Sequence, residues 1–304
     1  MTPARHFHTF TGNLLAERTL DFAAWTPGKT HRAQRASFQV GGKGVNVAKM
    51  LRRFGAPTTA WCFLGGPTGE ECRAWLQAQE LPFAAFAQTD ANRTGTVVRA
   101  PGQPETTFFS PDVAPDAAAW HAAAAALDAL PPDALFAVCG SSPGWATTEA
   151  SPFRAALARA MARGLPVVVD AYGPPLLDLV ARPVALVKIN ADELRALLGA
   201  DADTETNLRA ALARWPAQAW IVSDGPRPVW YAARGETPAN IAPPRVQEVS
   251  ATGSGDVLLA AVLLARWQRG YSWRAALEFA LPYAAANAAH PGVADFPRDN
   301  SLPA

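Results

Sequence analysis

VALVKIN, at residues 184–190, is a short, mostly apolar run that is followed by a helical pattern at residues 193–198. Three further runs have the same character and are separated by Ala-rich helical patterns: LFAVCG (135–140), PVVVDA (166–171) and AWIVSD (219–224). Runs this apolar predict strands that are buried on both faces. Their alternation with helices predicts an α/β fold in which helices cover both faces of a parallel sheet.

The first 113 residues differ from the rest of the chain. Strand-like runs alternate there with Gly and Pro, at residues 9–22, 35–42, 58–66, 93–100 and 106–110. Further along, helical patterns lie at residues 117–130, 153–163, 193–198, 208–215, 257–269 and 273–289. No flexible linker divides the chain, so we expect residues 1–304 to form a single domain.

Polar or glycine residues follow each buried run of the predicted sheet. They are Gly140-Ser141-Ser142, Asp170-Ala171-Tyr172, Lys188-Ile189-Asn190 and Ser223-Asp224-Gly225. An open parallel sheet binds ligands beyond the carboxyl ends of its strands, so these segments predict one crevice. The alternative is that they are ordinary turns and caps.

A glycine-rich turn precedes the most apolar helical pattern. Thr252-Gly253-Ser254-Gly255-Asp256 leads directly into VLLAAVLLARW. Two glycines let the chain turn tightly, and the helix start adds unpaired N–H groups and a positive dipole end. These features predict a phosphate site. A carboxylate there can accept the proton of an attacking hydroxyl, although Asp256 could instead only cap the helix.

A second glycine segment, Gly41-Gly42-Lys43-Gly44-Val45-Asn46, leads into a helical pattern that ends at Gly55. Its spacing matches neither a Walker A motif nor a dinucleotide fingerprint. It offers a flexible turn, a cation and an amide at a helix start, which suit the hydroxyls and phosphate of a small polar ligand. The alternative is a turn with no role beyond leading into the helix.

Composition limits the partners. The net charge is +1, so there is no basic footprint for nucleic acid or an anionic membrane. The three cysteines share no metal-ligand spacing, which predicts reduced thiols. The N-terminal residues lack the apolar core of a signal peptide, and the apolar run from Val257 is too short to cross a bilayer. We therefore expect a cytoplasmic protein.

The two glycine segments together resemble the signatures of the ribokinase (PfkB) family of carbohydrate kinases. GGKGVNVAKMLRRFG is most similar to the branch that holds 1-phosphofructokinase and tagatose-6-phosphate kinase. SATGSGD resembles the family's G-A-G-D signature, with Ser254 in place of Ala. Four segments between them resemble family segments in the same order: CGSSPGW (139–145), VVVDAYG (167–173), KINADELRALLG (188–199) and IVSDG (221–225).

The resemblance implies a three-layer α/β/α ribokinase-like fold with a mostly parallel central sheet. A small β-sheet lid would come from segments of about 10–40 and 88–112, and a homodimer would form through it. The implied activity is ATP-dependent phosphorylation of a sugar or sugar-phosphate hydroxyl. Asp256 would be the general base, the N–H groups of Gly253, Ser254, Gly255 and Asp256 would form an anion hole, and Asn190 and Glu193 would hold Mg²⁺ through water.

The resemblance also assigns binding residues by position. The acceptor would be bound by Asn13, Glu17, Gly41, Gly42, Lys43, Asn46, Arg93 and Ser141. The nucleotide would be bound by Lys188, Ser223, Gly225, Thr252, Gly253, Gly255 and Asn287.

Departures from the branch pattern concern the acceptor. Glu17 stands where the branch has an Asp that grips sugar hydroxyls, and Phe109-Ser110-Pro111 replaces its N-E-P stretch. Arg93 keeps the position of an Arg that holds a substrate phosphate. Two cations, Lys43 and Arg93, that converged on one small ligand would repel each other unless an anion offset them. This argument predicts a phosphorylated acceptor; the alternative is that Arg93 is a solvated lid residue and Lys43 only steadies the glycine turn.

Two other functions stay open on this fold. One is a kinase of another small alcohol, such as a nucleoside or vitamin, for which Phe108 and Phe109 could supply an aromatic wall. The other is a non-catalytic sugar-binding regulator, which would have no need of Asp256. The sequence does not decide which hydroxyl is attacked or which nucleotide is preferred.

Overall fold

The structure, a computed structural model, describes residues 5–297 and 302–303. In chain order its elements are β1 (Phe7–Thr11), β2 (Leu15–Asp21), β3 (Arg35–Gly41), α1 (Lys43–Arg53), β4 (Thr58–Leu64), α2 (Gly66–Ala78), β5 (Phe83–Ala87), β6 (Arg93–Arg99), β7 (Thr106–Phe109), α3 (Ala117–Asp128), β8 (Leu135–Gly140), α4 (Ser151–Ala162), β9 (Val167–Ala171), α5 (Pro174–Val180), β10 (Leu186–Asn190), α6 (Ala191–Leu198), α7 (Thr204–Arg214), β11 (Ala219–Asp224), β12 (Arg227–Ala233), β13 (Ala239–Ile241), α8 (Ser254–Leu263) and α9 (Trp273–Ala288). A π-helical turn, Leu264–Gln268, continues α8.

The central sheet has nine strands in the order β13-β12-β11-β10-β9-β8-β1-β4-β5. The four strands predicted from apolar runs, β8 to β11, are parallel neighbours, and β1 pairs in parallel with both β8 and β4. At one edge, the pairs β11–β12 and β12–β13 are antiparallel. The predicted mostly parallel sheet is confirmed.

Helices cover both faces of this sheet. One buried cluster, which includes Trp120 of α3 and Phe153 of α4, packs against Phe136 of β8. The opposite cluster joins α1, α8 and α9 to the other face. All residues of α8 from Asp256 to Leu263 are buried, which explains why this helix is apolar all round. The predicted three-layer fold is therefore confirmed.

A second sheet, in the order β3-β2-β6-β7, forms the lid. Its strands lie within the predicted segments 10–40 and 88–112, except that β3 extends to Gly41. Phe10 and Thr11, at the start of the first predicted segment, belong to β1 of the central sheet. A third apolar cluster, which includes Leu14, Val40 and Leu76, packs this sheet against α1, α2 and β4. The lid is thus attached on one side by burial of apolar side chains.

The helix starts differ from those predicted, because capping residues set them. α6 begins at Ala191 behind a capping box of Asn190 and Glu193, and α7 begins at Thr204, where the Asp203 side chain accepts from the N–H of Thr206. The apolar period marks only the buried turns that follow. α2 and α5 were not predicted, since Gly and Pro occupy their first turns. No helix in the described ranges is long and apolar enough to cross a membrane.

Candidate active site

A cleft of about 820 Å³ lies between the carboxyl ends of the central strands and the lid sheet. Each of the four strand ends that were predicted to share a crevice contributes to it, through Ser141, Tyr172, Asn190 and Ser223. Parallel strands bring these residues to one edge although they are far apart in the chain. The four segments therefore share one crevice, and Asn190 among them is also a helix cap.

The turn before α8 lines the floor of the cleft, and its glycines are required by close approach. Gly253 has φ 77°, and a Cβ there would lie 2.1 Å from Val293 Cγ1. A Cβ on Gly255 would lie 2.9 Å from the Nζ of Lys188. No side chain within the described residues caps α8. The N–H groups of Ser254 and Asp256 donate to the carbonyls of Ala251 and Gly253, at 3.2 and 3.0 Å, and within the described residues no such bond is made by the N–H groups of Gly253 and Gly255. These two N–H groups and the positive dipole end are thus available to an anion in the cleft.

Asn287, which was predicted to bind the nucleotide, lies behind this turn and is fully buried. Its Nδ2 donates to the carbonyl of Thr252 at 2.9 Å and to Ser254 Oγ at 3.1 Å. Its Oδ1 accepts from the N–H of Ala294 at 2.8 Å. The prediction of a direct nucleotide contact is corrected, because these bonds use the amide to brace the turn.

Asp256 lies in the first turn of α8, and its carboxylate faces the cleft while the residue is only 5% exposed. Asn46 Nδ2, from the first turn of α1, donates to Asp256 Oδ2 at 2.7 Å. Burial and, second, the nearby Asp170 raise the pKa of Asp256 to about 6, against the opposing effects of Lys43, Asn46 and Lys188. The predicted alternative, a simple helix cap, is not what this carboxylate does, because no side chain caps α8.

Asp170, at the end of β9, is the charged centre of the site, and sequence reasoning gave it no role. It is completely buried, and it accepts from Lys188 Nζ at 2.7 Å and from Lys43 Nζ at 2.9 Å. Burial alone would raise the pKa of Asp170, but the charges and hydrogen bonds of the two lysines outweigh it and hold the pKa below the ordinary value. The available signal was an acid at the end of an apolar strand.

Lys43 forms an ion pair with the Asp170 carboxylate. Its Nζ also lies 3.9 Å from Glu193 Oε1. Burial would lower the pKa of Lys43, but Asp170, Glu193 and Asp256 together raise it above the ordinary value. Lys43 therefore stays charged and is already compensated before any ligand binds.

Asn190 and Glu193, predicted to hold Mg²⁺ through water, form the capping box of α6 and line the cleft. Glu193 Oε2 accepts from the N–H of Asn190 at 2.8 Å, which leaves Oε1 toward Lys43. Among residues 5–297 and 302–303, no three acidic, His or Cys side chains lie close enough to hold an ion directly. The set of one amide and one carboxylate oxygen suits Mg²⁺ that keeps most of its waters.

The start of α1 is fixed to β1 by close contacts. Gly42 has φ 139°, and a Cβ there would lie 2.5 Å from Thr11 Cγ2. The N–H of Val45 donates to Thr11 Oγ1 at 3.1 Å. These contacts place Gly41, Gly42 and Lys43 on the cleft wall and aim Asn46 at Asp256.

The lid end of the cleft carries the other residues predicted to bind the acceptor: Asn13, Glu17, Arg93 and Ser141. Asn13 Nδ2 donates to Ser141 Oγ at 2.9 Å. Glu17 Oε1 accepts from the amide of Gln39. These side chains form a polar wall opposite the start of α8.

Arg93 is 15% exposed in its side chain and pairs with Asp112, Nη1 to Oδ1, at 2.9 Å. Its guanidinium lies 5.3 Å from the ring centre of Phe109. Since Lys43 pairs with Asp170 and Arg93 with Asp112, the prediction that both cations would need a substrate anion is wrong. Lys43 shares its carboxylate with Lys188, Arg93 pairs with a different one, and the sequence could not show either pairing.

The far end of the cleft is formed by Ser223, Gly225 and Thr252, as predicted for a nucleotide. It is also lined by the loop at 243–248 and by alanines of α9, which sequence reasoning did not single out. Lys188, predicted here, lines the cleft, but its Nζ is bound to Asp170.

The family model of the pfkB family carbohydrate kinases matches residues 13–300. The chain belongs to the pfkB family. It is therefore a carbohydrate kinase, and the family and fold predicted from its motifs are confirmed.

Three pfkB relatives illustrate the similarity. A 1-phosphofructokinase of Rhodobacter capsulatus is 31% identical over 262 residues, 84% of this chain and 82% of that protein. The ATP-dependent 6-phosphofructokinase isozyme 2 of Escherichia coli strain K12 is 27% identical over 257 residues, 81% and 82% of the two chains. The crystal structure of phosphofructokinase-2 from Escherichia coli in complex with fructose-6-phosphate has a TM-score of 0.84 at 23% identity and covers 94% of both chains.

Proposed function

We propose that this kinase transfers a phosphoryl group from ATP to a hydroxyl of a phosphorylated hexose, with Asp256 as the general base. The observation that carries the proposal is the position of Asp256. Its buried carboxylate lies beside an uncapped helix start, at the junction of the polar lid end and the far end of one cleft. A hydroxyl held at the lid end and a phosphate held at the helix start would meet at this carboxylate.

Asp256 has the properties of a general base. A pKa of about 6 leaves the carboxylate ionised at neutral pH, yet makes it more basic than an ordinary Asp. The 2.7 Å bond from Asn46 fixes one of its oxygens, so that the other can accept the proton of the attacking hydroxyl. A pure sugar-binding regulator would gain nothing from a buried, partly destabilised carboxylate at this place.

The start of α8 would bind the phosphoryl group in transfer. Gly253 and Gly255 present N–H groups at the positive end of the helix dipole, whereas the N–H groups of Ser254 and Asp256 donate to carbonyls of the turn. Gly255 also gives Lys188 close access to the turn. Fixed donors of this kind stabilise charge as it develops and do not have to reorganise. Asn287 keeps the turn in shape from behind.

Asn190 and Glu193 would hold Mg²⁺ through its water shell. Bound Mg²⁺ neutralises charge on the ATP phosphates. Lys43 and Lys188, oriented by Asp170, add two cations to the same side of the cleft. They would attract the polyphosphate, while the alanines of α9 and the apolar residues of the loop at 243–248 supply surface for the nucleotide base, beside the charged Arg245 and Glu248.

The acceptor assignment rests on Arg93 and on the relatives. Two relatives carry the name phosphofructokinase, and one solved structure contains fructose-6-phosphate. Arg93 Nε is buried without a partner in the described part of the chain, which is expected of a donor that awaits a ligand. Its planar fork suits a phosphate.

The lid is proposed to pair with that of a second copy. Phe108 and Phe109 of the edge strand β7 are 55% and 58% exposed, on opposite faces of the lid sheet, and exposed aromatic rings favour an apolar contact. Light scattering should then show a dimer, and Phe108→Ser with Phe109→Ser should shift it toward monomer. A monomeric wild type would remove this part of the proposal.

A panel of sugars, sugar phosphates, nucleosides and vitamins, each incubated with ATP and Mg²⁺ and assayed for ADP release, tests the function. A hexose phosphate should give the highest kcat/KM. Preference for a nucleoside or vitamin would assign the alternative kinase function, and absence of turnover with every acceptor would favour the regulator.

A further inference from the structure

Asp112 is not one of the residues that line the cleft, but its carboxylate binds two side chains at the acceptor end that are. It follows β7, and its carboxylate is 55% exposed. Its Oδ1 accepts from Asn13 Nδ2 and from Arg93 Nη1, each at 2.9 Å. The two donors come from different segments, and both line the cleft. One carboxylate oxygen therefore occupies the point on which two acceptor-binding groups converge.

The same donors would hold a phosphate oxygen. A guanidinium N–H and an amide N–H that meet at one anionic oxygen form a charge-assisted pair that does not distinguish carboxylate from phosphate. The remaining groups of Arg93 are not saturated, because Nη2 donates to the Asn13 carbonyl at a long 3.2 Å and Nε has no partner among the described residues. Asp112 thus satisfies only part of a fork that a phosphate could satisfy more fully.

We propose that Asp112 is a built-in competitor for the acceptor phosphate: its carboxylate occupies that position in the empty enzyme and leaves when a phosphorylated acceptor binds. The inference rests on the proposed function. Two anions cannot share the site without strong repulsion, so one must leave. Asp112 is the mobile partner, since its half-exposed side chain can turn into water, whereas Arg93 is largely buried and stays.

The exchange of carboxylate for phosphate makes the pocket favour acceptors whose phosphate reaches Arg93 well. Arg93 is paired in the empty enzyme and remains paired when phosphate replaces the carboxylate, so its charge is compensated throughout. A neutral sugar cannot replace the carboxylate and gains nothing from Arg93. Asp112 would therefore lower the affinity for every anionic acceptor, and it would weaken most those whose phosphate reaches the fork poorly.

Asp112→Asn tests the proposal, because it removes the charge but keeps an oxygen that can accept from both donors. The KM for the phosphorylated acceptor should fall about five-fold, a value between the effect of an exposed ion pair and that of a buried charge-assisted bond. Asp112→Ala should act in the same direction. The matched control is Glu105→Gln, which neutralises another carboxylate of the lid segment. Its partner Arg99, at 2.6 Å, does not line the cleft, whereas Arg93 does. Glu105→Gln should leave KM unchanged.

A calorimetric titration with inorganic phosphate separates this inference from the proposed function. ADP is present throughout to fill the nucleotide end of the cleft. Asp112→Asn should bind phosphate about five-fold more tightly than the wild type, and the gain should vanish when Arg93→Ala is added. Unchanged or weaker phosphate binding, or an unchanged or raised KM, would overturn the role of Asp112. If the wild type turns over no sugar phosphate, the proposed function fails, but the phosphate titration still decides the role of Asp112.

Discussion

Replacing Asp256 by Asn should make the unliganded protein more stable at neutral pH, although it removes the proposed base. The pKa of Asp256 rises from its ordinary 3.8 to about 6 on folding, chiefly because the carboxylate is buried and also because Asp170 is near. The folded protein therefore binds this proton more tightly than the unfolded chain does. The protonated Asp256 carboxyl contributes to the free energy of unfolding. This contribution is fully present below about pH 4 and is lost as the pH rises through 6.

The size of the effect follows from the two pKa values. Each pKa unit corresponds to about 1.4 kcal/mol, so ionised Asp256 costs about 3 kcal/mol of folding free energy above pH 7. Asn at this position has no charge to bury, and its oxygen can still accept from Asn46. Asp256→Asn should thus gain about 3 kcal/mol at pH 7.5 and about half of that at pH 5.

The assay is urea unfolding of the unliganded protein at pH 5.0, 6.0 and 7.5, with Asp170→Asn as the matched variant. Asp170 has a pKa below its ordinary value and compensates two lysines, so its removal should have the opposite sign. Breaking such a buried pair costs about 3–5 kcal/mol. A destabilising Asp256→Asn, or a gain that is the same at all three pH values, would refute the reasoning about buried charge.

Further predictions concern the reaction. The kcat/KM of the wild type should fall as the pH drops through about 6, where Asp256 gains its proton. Asn46→Ala should move this fall about one pH unit higher, because it removes a hydrogen bond to the ionised form of Asp256. A pH profile of kcat/KM that does not move would count against the Asn46 contact. Glu193→Gln should raise the Mg²⁺ concentration needed for half-maximal activity, and an identical Mg²⁺ titration would argue against the proposed metal shell. Arg93→Ala should raise KM for a sugar phosphate by about ten-fold or more and leave KM for ATP unchanged, as expected for a charge-assisted bond; unchanged acceptor kinetics would remove Arg93 from the acceptor site.

The fold was predictable because its signals are local. Apolar runs of six or seven residues predicted the buried strands β8 to β11, and two glycine segments predicted the turns before α1 and α8. Turns that need positive φ or a missing Cβ leave a clear trace in the sequence, as Gly42 and Gly253 show.

The charge pairing of the site was not predictable in the same way. Lys43, Asp170 and Lys188 meet only because the strand order places β9 beside β10, and because the first residue of α1 reaches the end of β9. Asn287 looks like a ligand contact in the sequence, but the path of α9 turns it behind the Thr252–Asp256 turn. Which carboxylate compensates which cation depends on contacts between distant segments, and no spacing encodes it.

The turnover of Asp256→Asn with ATP and the best hexose phosphate tests the central claim most directly. The structure places this carboxylate in the cleft without a salt bridge among the described residues, so its loss should affect the chemical step more than binding. We predict that kcat falls at least ~100-fold, the usual contribution of a general base, while both KM values stay within a few-fold of the wild type. A variant that folds and turns over at a near wild-type rate would contradict the assignment of Asp256 as the base.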